Sequence, residues 1–161
     1  DPAVDPRLRW PNDVFVGERK LAGILVERVA RGRAVFGIGV NSAGRAGLAP
    51  PALRDRLVTW PDLTGRALPR QELLAAFLPR LTATVARCVA DPVLLVEQYR
   101  PRCGLFGRDL TVYRGEQPLH GRCLGIDASG ALVLDTVAGR LHLSSASLTA
   151  PAEVWRGIAE A

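Results

Sequence analysis

The sequence predicts an α+β protein: an antiparallel meander, then helices, then a small antiparallel β-barrel. Three observations carry this. Glycine-punctuated apolar runs alternate with turns up to Asn41. Apolar residues recur at helical spacing from Leu74 to Val89. Short alternating runs separated by turn residues fill the last third, four or five of them in about 45 residues.

The elements follow in order. Leu8–Trp10 is a short apolar stretch, and Pro11-Asn12-Asp13 reads as a turn. Val14-Phe15-Val16 forms a short strand, Gly17-Glu18 a tight turn, and Lys20–Val29 a long strand. Arg31-Gly32-Arg33 turns it, and Ala34–Val40 returns. Gly23, Gly37 and Gly39 lie inside these strands, where glycine weakens pairing unless a backbone or ligand must come close. A loop with a short helical piece near Pro51–Val58 follows. Thr64 or Gly65 is expected to start the main helix, with Pro69 in its first turn and a kink or break at Pro79. Asp91 is expected to cap a second helix over Pro92–Tyr99. The runs LTVYR, HGRCLGID, ALVLDT and RLHLSSASL then make the barrel.

Composition bounds the function. At 161 residues, 48% apolar and 23% charged, the chain is ordinary globular material, long enough to bury roughly 68–70% of its surface. No continuous apolar run approaches the ~18–20 residues of a membrane span. Three cysteines without CxxC spacing imply reduced thiols. Residue 1 is Asp and there is no Met, so a fragment of a longer chain is expected. Residues 1–90 hold 14 basic and 8 acidic residues, and the remainder 7 and 8. The basic first half could draw a nucleotide, a nucleic acid or an acidic partner.

His120 and His142 fall on separate predicted strands without further ligands, which favours a structural role over a metal site. There is no P-loop, and Gly37-Ile38-Gly39 lacks the third glycine of a dinucleotide fingerprint. One constellation remains. The basic residues are 20 Arg and a single lysine, Lys20, and the only asparagines are Asn12 and Asn41. All three, with Asp13, fall in the meander at neighbouring strand ends. An ammonium, a carboxylate and two amides among glycine-thinned strands suit a polar ligand carrying a phosphate. The alternative is a plain turn and a hairpin charge, and spacing alone does not decide.

Arg9-Trp10-Pro11-Asn12-Asp13, then Arg19–Glu27 (RKLAGILVE), then Gly37–Asn41 (GIGVN) resemble the three linked motifs of biotin protein ligases, in the same order and at similar spacing. The resemblance implies the second half of a class II synthetase-like catalytic domain over residues 1–103, an SH3-like barrel over 104–150, and a tail over 151–161. It implies that biotin and ATP, with Mg²⁺, give biotinyl-5′-AMP, and that biotin then passes to a lysine of a carboxylase carrier domain. Lys20 and Asp13 would be catalytic. Lys20, Gly23, Leu25, Gly37 and Val40 would bind biotin, and Asn12 and Asn41 the nucleotide. A fixed ammonium opposes the repulsion between a carboxylate and a phosphate. Arginine could not place one point charge there.

The cysteine usage points to a cytoplasmic protein, and the sequence leaves pairing of two copies through the meander open. The family's glycine- and arginine-rich closing loop is absent from these residues, so little activity is expected from the chain alone. No DNA-binding helix-turn-helix is seen. A non-catalytic nucleic-acid-binding module and a lipoate protein ligase are the competing readings. Aromatics at 6% speak against the first.

Overall fold

The computed structural model describes residues 4–148. The tail at 151–161 lies outside them. The chain forms two compact units that divide between Leu74 and Ala75, inside one long helix.

The first unit is built on the expected meander. Strands β1 (Pro6–Arg9), β2 (Asp13–Val16), β3 (Arg19–Arg28) and β4 (Ala34–Val40) pair antiparallel in that order. A cis peptide joins Trp10 to Pro11 in the first turn. Gly17 adopts φ of 60° in the two-residue β2–β3 turn, where a side chain would be strained. Trp10, Leu21, Ala46, Val58 and Thr59 make the buried centre. The far half of the β3–β4 ribbon exposes Leu25, Val26, Val35, Phe36 and Ile38.

Two short helices complete this unit: α1 (Pro51–Arg54) and α2 (Trp60–Thr64). Thr59 caps α2 reciprocally. Its hydroxyl accepts from the Asp62 amide at 3.2 Å, and the Asp62 carboxylate accepts from the Thr59 amide at 3.2 Å. Gly65, with φ of 78°, ends α2. Thr64 or Gly65 was expected to open the main helix; that helix, α3, instead spans Arg70–Ala90.

Helix α3 also runs through Pro79 without a break. The missing proline N–H costs one rung. Just beyond it, the Arg80 guanidinium donates to the Ala76 carbonyl at 2.6 Å. Apolar residues from Leu74 to Val89 form one stripe, with Arg80 and Arg87 on the other side. By length and composition α3 could cross a bilayer, with mean hydropathy 1.4 over 18 residues. The sequence reading, which looked for an unbroken apolar run, did not anticipate this. An arginine at mid-helix would oppose such a placement by about 2.5–3.5 kcal/mol.

In the second unit, helix α4 (Pro92–Tyr99) starts at the expected cap: the Asp91 carboxylate accepts from the Val93 amide at 3.0 Å. Strands β5 (Asp109–Arg114), β6 (Gln117–Ile126), β7 (Leu132–Thr136) and β8 (Gly139–Leu143) form an antiparallel sheet in sequence order. Alternation sends Val112, Cys123, Leu132, Leu134 and Leu143 inward. Outward, register places Asp109, Arg122, Asp135 and Arg140 side by side across the four strands, opposite charges adjacent. Among the described residues the sheet does not close into a barrel. Its ends approach through one bridge, Tyr113 with Ser147, made by two backbone bonds of 2.7 and 2.9 Å. Cys88, Cys103 and Cys123 are free thiols.

Candidate active site

The site residues gather because β3 is irregular. Asp13 pairs with Gly23 and Val14 with Ala22, but Phe15 pairs with Lys20. Leu21 is therefore an extra residue, a β-bulge. In a regular strand, residues three apart point to opposite faces. The bulge restores Lys20 to the face of Gly23, which is also the face of Asp13 and Phe15. Sequence reasoning placed Lys20 near Asp13 but gave no reason for their meeting.

The result is a direct ion pair. Lys20 Nζ lies 2.6 Å from Asp13 Oδ1, with the side chains 44% and 31% exposed. Gly23 makes the room. A Cβ there would sit 3.1 Å from both Lys20 Cε and Nζ and 3.3 Å from Asp13 Oδ1. Gly39 is opposite Gly23, and Gly37 opposite Leu25. Three glycines thus leave the same face bare beside the pair, and Leu25 stands exposed among them. Val40 pairs with Ala22, which alternation turns to the opposite face.

Asn41 ends β4 and faces inward to the chain. Its amide nitrogen donates to the carbonyls of Lys20 and Val58, at 3.1 Å each. Asn12 contributes its backbone, its carbonyl accepting from the Ile24 amide at 2.7 Å. The residue is exposed at the turn beside Asp13.

The structure adds residues that the sequence reading left without a role. Arg9 is register partner to Asp13. Its guanidinium lies 4.1 Å from the Phe15 ring centre and 3.1 Å from the Glu18 carboxylate. A second cation therefore stands on the face of the pair. Asp62 fastens the neighbouring loop. Its Oδ2 accepts from the Ala46 amide at 3.0 Å and from the Thr59 hydroxyl at 2.8 Å. Those bonds, the Ala46 amide foremost, hold its carboxyl below the usual carboxylate range.

The histidines take no part in this site. His120 Nδ1 lies 3.0 Å from the Thr111 hydroxyl, and His142 Nδ1 2.6 Å from Asp127 Oδ2. Among the described residues no group of three or more His, Cys, Asp or Glu could hold a metal ion.

An ammonium held by a carboxylate above a glycine-bare sheet can receive an anionic group close to the backbone. Known proteins give it a class. Residues 2–41, which contain the whole meander, match the biotin/lipoate A/B protein ligase family, and residues 105–147 match the biotin protein ligase C-terminal domain.

The chain is 32% identical over 154 residues to a biotin–[acetyl-CoA-carboxylase] ligase of Paracoccus denitrificans, covering 91% of this chain and 64% of that one. It is 34% identical over 146 residues to the corresponding Mycobacterium tuberculosis ligase, covering 90% and 53%. The biotin protein ligase of Aquifex aeolicus, solved in complex with biotin and ATP, superposes with a TM-score of 0.78 at 26% identity, covering 90% and 62%. The chain belongs to the biotin protein ligase family. It spans less than two thirds of the length of each of these relatives.

Proposed function

We propose that this chain serves the ATP-dependent activation of biotin and its transfer to a lysine of a carboxylase carrier domain. The observation that carries the proposal is the Lys20–Asp13 pair seated over Gly23. Biotin's carboxylate attacks the α-phosphate of ATP, biotinyl-5′-AMP forms, and pyrophosphate leaves. Both reactants are anionic, and Lys20 offsets their repulsion and the charge that grows in the transition state. The ε-amine of the carrier lysine then attacks the acyl carbon. Its proton goes to Asp13, which is adjacent and half-exposed, and AMP leaves. Mg²⁺ enters as part of the nucleotide substrate, held by its phosphates.

Gly23, Gly37 and Leu25 form the floor for the biotin ring system. Asn12, at the exposed turn, and Asn41, at the strand end, mark the nucleotide side. The Paracoccus and mycobacterial relatives support biotin over lipoate. On the same reading, residues 1–103 are the catalytic portion and 104–150 an SH3-like C-terminal domain, a reading that the Tyr113–Ser147 bridge between the two ends of the second unit's strands supports. The reaction belongs in the cytoplasm, where ATP and carboxylases meet.

The test compares two proteins: the chain itself, and the chain joined to the upstream segment of the Paracoccus ligase. Pyrophosphate release with biotin and ATP, and biotin transfer to a carrier domain, are measured for each. The fusion should turn over and the chain alone should show little activity. Lys20→Arg should slow adenylation by the fusion about 10²–10³-fold. A Lys20→Arg fusion that releases pyrophosphate at the unsubstituted rate would remove Lys20 from the mechanism.

A further inference from the structure

The two carbonyls at the bulge that brings Lys20 to Asp13, those of Lys20 and Leu21, both accept from Asn41. The Asn41 backbone amide donates to the Leu21 carbonyl at 2.9 Å. The Asn41 side-chain nitrogen donates to the Lys20 carbonyl at 3.1 Å. The same nitrogen reaches the Val58 carbonyl at 3.1 Å. The Val58 amide in turn donates to the Lys20 carbonyl at 3.0 Å, and the Lys20 amide to the Arg56 carbonyl at 2.9 Å. Lys20 thus meets the 56–58 segment in a parallel bridge at Leu57, with Asn41 spanning the two.

We infer that Asn41 is a positioning residue for Lys20, holding the Leu21 bulge in the one register that puts the Lys20 ammonium on the face of Asp13. The inference rests on the proposed role of Lys20. Both acceptors around the Asn41 amide are carbonyls, so its nitrogen must face them and its orientation is fixed by chemistry. A primary amide offers two N–H groups from one atom on a short arm. Aspartate would set a carboxylate against two carbonyls, serine has one donor, and arginine is too long. This accounts for an asparagine at a position in an arginine-rich chain that has only one other.

Loss of these bonds frees the bulge. A one-residue shift in a strand carries its side chains to the opposite face. Lys20 would then lose Asp13 while the rest of the sheet still paired.

The chain's single lysine makes the inference measurable without any turnover. The assay is acetylation of Lys20 by a limiting amine-reactive ester on dilute protein, read by mass spectrometry of the peptide containing it. The Lys20 Nζ is pinned 2.6 Å from the Asp13 carboxylate and so less free to meet the ester, and Asp13→Asn should raise the labelling rate several-fold in the Asn41 chain. In Asn41→Ala and Asn41→Asp chains, adding Asp13→Asn should change the rate less than twofold, because the pair is already broken. Circular dichroism confirms that each chain is folded. If Asn41→Asp does not fold, Asn41→Ala and Asn41→Ser carry the comparison.

An undiminished response to Asp13→Asn in folded Asn41 variants would overturn the inference, even with a lower melting temperature, since that is what a merely stabilising bond predicts. The labelling requires neither biotin nor ATP. Failure of the ligase reading would show instead as unchanged pyrophosphate release in the Lys20→Arg fusion.

Discussion

Gly23→Ala separates what holds the fold from what arranges the site. Gly23 lies mid-strand in β3, and its φ is not in the left-handed region, so alanine fits the backbone. Replacing glycine there restricts the unfolded chain and should by itself stabilise by about 0.4–1 kcal/mol. Against this, the added methyl would stand 3.1 Å from the Lys20 Cε and Nζ, closer than ordinary carbon contact. Lys20 is the flexible partner and must retreat by a few tenths of an ångström or turn away from Asp13. The pair is half-exposed, so weakening it costs at most about 1 kcal/mol. The two effects nearly cancel, and the melting temperature should move by no more than a few degrees. Catalysis is less forgiving: an ~1 Å misplacement of a reacting or charge-bearing group can cost ~10²-fold. Adenylation by the fusion protein should therefore fall about 10–100-fold at unchanged stability. The assays are pyrophosphate release and a thermal melt on the same preparation. Full activity in Gly23→Ala would refute the argument that the glycine exists to seat the pair, and so would a loss of activity matched by a large drop in melting temperature.

Three further outcomes are expected. Asp13→Asn should slow carrier-lysine transfer more than adenylation when the half-reactions of the fusion are measured separately; equal losses would mean that Asp13 only shapes the turn. Asp62 titrates below the ordinary carboxylate range in the folded chain, so its contribution to stability is full above the unfolded value near ~3.9 and is lost as pH falls through the lower folded value. Thr59→Ala, which removes the cap and a carboxylate partner, should cost about 0.5–2 kcal/mol at neutral pH and shrink the acid-dependent part of the melt, read by urea titration at several pH values. The ribbon formed by β3 and β4 exposes Phe36 and Ile38 on an edge strand, which favours self-association. Light scattering on the isolated chain should show oligomers that Phe36→Lys reduces; a monodisperse monomer would contradict this.

Much of the first unit could be read from the sequence because glycine and the β-branched runs mark strands and turns locally. Ala34–Val40 and the Asp91 cap emerged as read. The start of α3 did not, because Gly65 serves equally at either end of a helix and only its left-handed φ shows that it terminates α2. A kink or break was expected at Pro79, and the helix does not break there. Propensity penalises one lost bond, while the flanking turns of a 21-residue helix outweigh it. Lys20 and Asn41 stand out in the sequence by rarity and motif, and Asp13 by motif alone. Their geometry was not legible there. Strand parity sets Val40, opposite Ala22, on the other face of the sheet from Gly39, which motif order alone does not reveal. The work of Asn41 on the Lys20 and Val58 carbonyls depends on a segment 17 residues later, which no local pattern announces.

The extra residue at Leu21 makes the spacing of the KLAG run a frame, as in a reading frame. Two side chains that must meet on one side of an unbroken strand are an even number of residues apart; Lys20 and Gly23 are three apart. Their odd separation is therefore already a written record of the bulge. Anyone transplanting this sheet, or aligning a distant sequence to it, can use that parity. Flattening the bulge at this spacing would leave composition, charge and hydropathy untouched. It would nonetheless deliver the ammonium to the opposite face of the sheet.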